Sequence, residues 1–130
     1  MFAPGVSKRR GKSARRWRRN GRGELQASFK VVITDSAVAD LNAIDDYWTM
    51  RGELERGAKY CEDLMRIAER DLSKPAFAKR GRPMKKAPLP NTHEILVFKG
   101  SYRVIFRIAE TEGTVFVLRF WHSHRDEPFE

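Results

Sequence analysis

The sequence lacks the features of several special classes of protein. A single cysteine, Cys61, excludes an internal disulfide framework and fits a reducing compartment. No apolar run approaches the ~20 residues that a membrane-spanning helix needs, so we expect a cytoplasmic protein without a membrane partner. Histidine is also scarce. His122 and His124 have no cysteine or further histidine nearby that could complete a metal site, only acidic neighbours such as Asp126. We therefore predict no metal site and no cofactor.

Acidic residues are nearly absent from the N-terminal segment. Residues 1–30 contain ten Lys and Arg but one acid, Glu24, whereas residues 31–130 contain sixteen basic and sixteen acidic residues. The whole net charge of +9 therefore belongs to the N-terminal segment. Because Gly, Ser and Asn interrupt this segment and aliphatic periodicity is missing, we predict a basic arm over residues 1–28, disordered in isolation, followed by one folded domain over 29–130.

Three interpretations of the arm remain open. As a nucleic-acid arm it would bind without sequence preference, and Trp17 could stack on a base. As a transit peptide it has the arginines and serines, but it lacks an amphipathic apolar face. The third interpretation is an extension with no role in the fold.

Acids are also missing from a second stretch, the loop between Leu72 and His93. This loop is rich in proline, and its basic residues are Lys74, Lys79, Arg80, Arg82, Lys85 and Lys86. The simplest interpretation is a solvated connector. Six cations without a local acid also indicate a positive surface that meets phosphates or an acidic protein.

The first part of the folded domain reads as a strand and two helices. Residues 29–33 form a short apolar run, and Thr34 provides helix N-cap chemistry. Apolar residues then recur at helical spacing up to Arg51-Gly52, and Tyr47 and Trp48 are predicted to lie in the core. A second helix begins near Glu53 and ends before Pro75, with an apolar stripe of Ala58, Cys61, Leu64, Met65, Ala68 and Leu72. The short link predicts an antiparallel αα-hairpin.

Residues 94–126 are predicted to form a three-strand meander, because three segments alternate with period 2. Lys99-Gly100 is the predicted two-residue turn of the first hairpin. This register sets Leu96 opposite Arg103, then Arg103 opposite Arg119 and Arg107 opposite Val115. The predicted core face consists of Ile95, Val97, Tyr102, Val104, Phe106, Phe116, Leu118 and Phe120. The predicted open face consists of Glu94, Leu96, Phe98, Arg103, Ile105, Arg107, Val117, Arg119 and Trp121.

The open face is the first candidate for function. Two arginines directly opposed destabilise a sheet by roughly 0.2–1 kcal/mol, so their presence indicates an anion-binding surface. Glu94 provides one carboxylate, which cannot neutralise three arginines. The apolar side chains on the same face, Leu96, Phe98, Val117 and Trp121, are typical of a surface that a partner segment covers. His122 is predicted to be a half-buried packing residue, and His124 and Arg125 are predicted to be exposed.

The order of these elements and several motifs resemble the RelE/ParE superfamily of toxins from type II toxin–antitoxin modules. The motifs are Ala39-Asp40-Leu41 with Ile44 and Tyr47, Pro75, Gly81-Arg82, Gly100-x-Tyr102-Arg103-Val104-Ile105-Phe106-Arg107, and Val117-Leu118-x-x-Trp121-His122-x-x-Arg125-Asp126. The resemblance implies an α+β fold of the order β-α-α-β-β-β, with the αα-hairpin on one face of a curved, mainly antiparallel four-stranded sheet. It also implies a cognate antitoxin as partner in a hetero-oligomer.

Two branches of the superfamily imply different targets. RelE-like members are ribosome-dependent mRNA endonucleases, and here only Arg103 matches their pattern clearly. For that branch the candidate catalytic residues are Arg103, Arg107, Arg119, His122, His124 and Arg125. ParE-like members poison DNA gyrase, and the ending Trp121-His122-Ser123-His124-Arg125-Asp126-Glu127-Pro128 resembles theirs. We therefore favour the ParE-like branch, with the nuclease as the first alternative and a non-toxin RNA- or DNA-binding module as the second.

The predicted contacts of the toxin follow from this choice. The residues predicted to contact the target or a phosphate are Arg82, Lys85, Lys86, Arg103, Arg119 and Arg125. The residues predicted to contact the antitoxin are Leu96, Phe98, Val117 and Trp121. Whether the protein is an enzyme depends on the branch.

Overall fold

The computed structural model describes residues 16–19 and 25–123, with side chains from residue 28 onward. Strands β1 (Arg16–Arg19) and β2 (Leu25–Ser28) form a two-stranded antiparallel sheet of their own. Most of the predicted basic arm lies outside the described residues, so its disorder and the division at residue 28 stay predictions.

The first strand and helix of the domain are as predicted. Strand β3 (Lys30–Ile33) leads into helix α1 (Asp35–Met50), and the hydroxyl of Thr34 accepts a hydrogen bond from the backbone N–H of Ala37. This N-cap satisfies one of the donors that a helix start leaves unpaired. The helix stops at Arg51-Gly52, where Gly52 has a φ of 76°.

The αα-hairpin is also present. Helix α2 (Leu54–Arg66) continues into a π-helical turn (Ile67–Asp71), and a short helix α3 (Pro75–Ala78) follows. The two long helices approach closely at Gly57, where a Cβ atom would lie 3.0 Å from Cβ of Trp48. Gly57 is buried and Ala58 is exposed, so the predicted position of Ala58 on the apolar stripe was wrong.

The main sheet has five strands rather than the predicted four. The later strands are β4 (Arg82–Pro83), β5 (Thr92–Val97), β6 (Tyr102–Ala109) and β7 (Thr114–His122), and the sheet order is β3-β7-β6-β5-β4. The pairing of β3 with β7 is parallel and the other pairings are antiparallel. The additional strand is the two-residue β4, which is too short to leave an alternation pattern in the sequence.

A β-bulge changes the register of the second hairpin. Ile105 pairs with Arg119 but Phe106 pairs with Val117, so Leu118 is the extra residue. The bulge turns Val115 and Val117 into the core, where both are fully buried, while Phe116 and Leu118 are only half-buried. The predicted assignment of Phe116 and Leu118 to the core face, and of Val117 to the open face, was therefore wrong.

The core lies between the helical hairpin and one face of the sheet. Its largest fully buried side chains on that face include Val104, Phe106, Val115, Val117 and Phe120, and Leu64 and Leu72 cover them from the helical side. Tyr47 does not belong to this core, since it is 46% exposed and Arg51 lies over its ring at 4.4 Å. No helix among the described residues is long and apolar enough to cross a membrane.

Candidate functional site

The sheet face turned away from the helices carries the candidate site. Leu96 on β5 pairs with Arg103 on β6, as predicted, and Glu94 pairs with Ile105. These residues alternate with the core residues of both strands, which places them on the opposite face. Much of this face is shielded from solvent, because Glu94, Arg103 and Ile105 are each at most 8% exposed.

Glu94 holds two arginines on this face. Its buried carboxylate accepts hydrogen bonds from Nε of Arg82 at 2.8 Å, from Nη2 of Arg82, and from Nη1 of Arg103 at 3.2 Å. The Arg103 side chain is 10% exposed, whereas the Arg82 side chain is 66% exposed. One carboxylate therefore holds two guanidinium groups, and the exposed one belongs to Arg82.

Asp40 holds a third arginine. Its carboxylate accepts two hydrogen bonds from Arg119, from Nε at 2.7 Å and from Nη2 at 2.8 Å, and a third from the backbone N–H of Phe120 at 3.0 Å. The hydrogen bonds to Asp40 raise the pKa of Arg119 above its ordinary value. This bidentate pair fastens α1 to the part of β7 that extends beyond β3.

The predicted gathering of unneutralised arginines on an uncovered face was wrong. Arg107 pairs with Phe116 because the turn after Ala109 shifts the register by one residue, and Arg103 pairs with Trp121 rather than with Arg119 because the bulge adds a second shift. Arg103 and Arg119 each have a carboxylate partner. Arg107 is half-buried and lies 5.1 Å from the centre of the Phe116 ring.

The four predicted antitoxin contacts do not form one exposed surface. Leu96 is 48% exposed, but Val117 is fully buried by the bulge and Trp121 is 7% exposed. Phe98 adopts a φ of 54° in the turn and packs on the helical side, with its ring 5.2 Å from that of Tyr60. Of the four, Leu96 alone has the predicted exposure.

Both described histidines pack against aromatic rings. His122 is half-buried, as predicted, and its ring packs edge-on against Tyr102 at 5.0 Å. His93 was not singled out from the sequence; it stacks on Phe106 at 5.8 Å, and its Nδ1 lies 3.0 Å from the carbonyl oxygen of Asn91. His124 and Arg125 lie outside the described residues.

The basic loop contributes the exposed cations of this region. Arg82, Lys85 and Lys86 are exposed, as predicted, beside a cleft of about 260 Å³ that residues of the segment 83–93 line. At the base of the loop Gly81 is buried, and a Cβ atom there would lie 2.8 Å from Cζ of Phe106. The glycine therefore lets the loop approach the sheet closely, so that Arg82 reaches Glu94.

The sequence interpretation missed an exposed apolar group at the tip of the helical hairpin. Tyr47, Met50 and Leu54 are 46%, 87% and 61% exposed. Met50 and Leu54 flank the predicted turn at Arg51-Gly52, and this position was the signal that they would lie at an exposed helix end. Large apolar side chains grouped at a surface are typical of a binding site for another protein.

The single cysteine and the neighbouring aromatic cluster are structural. The thiol of Cys61 donates a hydrogen bond to the carbonyl oxygen of Leu41 at 3.3 Å, and burial raises its pKa to about 11. The thiol is therefore protonated at neutral pH and is a poor nucleophile.

Nε1 of Trp48 donates to the hydroxyl of Tyr102 at 3.3 Å, and burial raises the pKa of Tyr102. Within the described part of the chain, no cluster of His, Cys, Asp and Glu could hold a metal ion.

The family of this chain follows from a comparison with protein families. A family model described as the ParE toxin of the type II toxin–antitoxin system parDE matches residues 31–127. The chain belongs to the ParE toxin family. The match contains α1 with Asp40, the αα-hairpin, the basic loop and the meander, and it confirms the resemblance drawn from the motifs on these elements.

Solved structures similar to this ParE-type toxin come from toxin–antitoxin complexes. One is the RelBE2 complex from Mycobacterium tuberculosis, with 24% identity and a TM-score of 0.55 over 73% of this chain and 91% of that chain. Another is the chromosomal ParDE system from P. aeruginosa, with 20% identity and a TM-score of 0.58 over 73% of this chain and 96% of that chain. No curated protein matches the sequence. The two structures confirm the predicted α+β fold of the RelE/ParE type.

Proposed function

We propose that this ParE-type toxin poisons DNA gyrase in the cytoplasm and is neutralised by a cognate antitoxin that binds it. The observation that carries the proposal is the ParE family match over residues 31–127. The solved structures with this fold are of toxin–antitoxin complexes, which supports an antitoxin partner for this chain as well.

The arrangement of the arginines supports a binding toxin over a nuclease. Cleavage of RNA by its 2′-hydroxyl needs a base, an acid and cations that stabilise the phosphate as its charge develops. Arg103 and Arg119 are each held by a carboxylate, and His93 and His122 pack against aromatic rings. Three candidates of the nuclease hypothesis, Arg103, Arg119 and His122, are thus engaged within the fold.

The exposed contacts available to partners are of two kinds. Arg82, Lys85 and Lys86 present positive charge on the basic loop, and this surface suits an acidic patch on gyrase or on the antitoxin. Leu96 on the sheet and the apolar group at the hairpin tip present surface that an amphipathic antitoxin segment would bury.

The test assays the purified protein against both targets: DNA gyrase in a supercoiling assay, and mRNA on programmed ribosomes. We expect loss of supercoiling with intact message. Adding the cognate antitoxin, sought as the product of any short reading frame next to the gene, should restore supercoiling. Cleaved message with normal supercoiling would overturn the proposal in favour of the RelE-like activity.

A further inference from the structure

The excess positive charge of this chain lies outside its ParE domain. The family match begins at residue 31, and residues 31–130 contain equal numbers of basic and acidic residues. Residues 1–30, the basic segment, carry the whole excess of +9. The excess charge is therefore an addition to the toxin domain rather than a property of its fold.

Three exposed arginines inside the domain each have an acidic partner. On and after α2, three exposed arginines have an acid nearby in the sequence: Arg56 pairs with Glu53 at 3.2 Å, Arg66 with Asp63 at 2.6 Å, and Arg70 with Asp71 at 3.0 Å. The basic segment holds ten cations and one acid, so most of its cations have no acid within the segment. Such a composition is typical of segments that bind a polyanion.

The described backbone of the basic segment has a shape that favours duplex DNA as the polyanion. Strand β1 (Arg16–Arg19) pairs antiparallel with β2 (Leu25–Ser28) in the register Arg16↔Ser28 to Arg19↔Leu25. A two-stranded antiparallel ribbon is of a size that the major groove of B-form DNA admits. The major groove of A-form RNA is deep and narrow and excludes it. Three of the four residues of β1 are arginines.

We propose that the β1–β2 ribbon makes the basic segment a DNA-binding arm, in which the arginines of β1 contact the phosphates of duplex DNA without sequence preference. Each cation that neutralises a phosphate releases a counterion, so binding weakens steeply as salt rises. The arm acts on DNA in the absence of gyrase, and its test is therefore independent of the proposed target.

The experiment compares two triple variants of the 130-residue protein with the unchanged protein. The arm variant carries Arg16→Gln, Arg18→Gln and Arg19→Gln, and the matched control carries Arg56→Gln, Arg66→Gln and Arg70→Gln, so both lose three positive charges. Fluorescence anisotropy with a short random-sequence duplex DNA gives the dissociation constant between about 50 and 200 mM salt. Parallel titrations use a duplex RNA of the same sequence and vesicles that contain an anionic lipid, and thermal unfolding checks that all three proteins are folded.

The expected result is a change in the arm variant alone. Its plot of log K against log salt should be shallower by about 2 to 3 in slope, since each phosphate contact contributes about 0.9. The control should keep a slope within about 1 of the unchanged protein. Equal weakening of both variants would show a diffuse effect of net charge and would overturn the proposal. Tighter binding to RNA or to vesicles than to duplex DNA would also overturn it.

Discussion

Asp40 and Glu94 are two buried carboxylates in the same domain, and the arginines that they hold differ in exposure. Asp40 is matched by one guanidinium group and one backbone N–H, so its site is neutral. Glu94 lies between two guanidinium groups, of which Arg103 is buried and Arg82 is exposed. The comparison teaches that an arginine on a strand of this sheet is not by itself a binding residue, because its exposure and its carboxylate decide what it can do.

The largest expected effect is at the neutral site. Asp40→Ala removes three hydrogen-bond acceptor contacts and leaves the N–H of Phe120 unsatisfied, so we expect a loss of about 2–4 kcal/mol in the free energy of unfolding. Chemical denaturation measures it. The matched control is Asp46→Ala, an exposed position on the same helix, which should change stability by less than about 0.5 kcal/mol. Equal values for the two variants would show that the Asp40 site does not stabilise the fold.

A smaller loss of stability is expected for the buried arginine of the other site. Arg103→Gln should reduce the free energy of unfolding by about 1–3 kcal/mol, because Glu94 then keeps only its exposed partner. A double-mutant cycle with Glu94→Gln isolates the pair, and a coupling energy of about 0.5–3 kcal/mol is expected. A coupling of zero would mean that Arg103 is held by other contacts.

The smallest change in stability is expected for the exposed arginine. Arg82→Gln should alter the free energy of unfolding by less than about 1 kcal/mol, since Glu94 retains Arg103 and an exposed ion pair contributes little. If Arg82 contacts the target, the same substitution should weaken growth inhibition on induced expression. The matched control Arg70→Gln should leave growth inhibition unchanged. Full toxicity in the Arg82→Gln variant would remove the distinction drawn between the two sites.

The local elements of this fold were predictable because neighbouring residues determine them. The Thr34 N-cap, the stop at Gly52 and the pairing of Leu96 with Arg103 each depend on a few adjacent residues, and all three are present. The turn at residues 98–100 was found through its glycine, but strict alternation did not foresee the left-handed Phe98, whose ring therefore packs on the helical side.

The candidate site was less predictable because its contacts join distant parts of the chain. Asp40 and Arg119 are 79 residues apart, and no pattern along the sequence pairs them. The bulge at Leu118 also reverses which side chains of β7 face the core, and a period of two cannot reveal an inserted residue. The family was nevertheless recognisable, since the order of motifs does not depend on the register.

The parallel pairing of β3 with β7 has a consequence for how the toxin matures. The first strand of the domain pairs with the last described strand, Lys30 beside Thr114, so the main sheet is complete only after a long stretch of chain has been synthesised. Contacts so far apart in sequence form slowly, because the entropy of closing the loop is lost before they stabilise anything. A chain interrupted before residue 114 would lack the strand that β3 pairs with and the arginine that Asp40 holds, and it should emerge from synthesis as a harmless fragment.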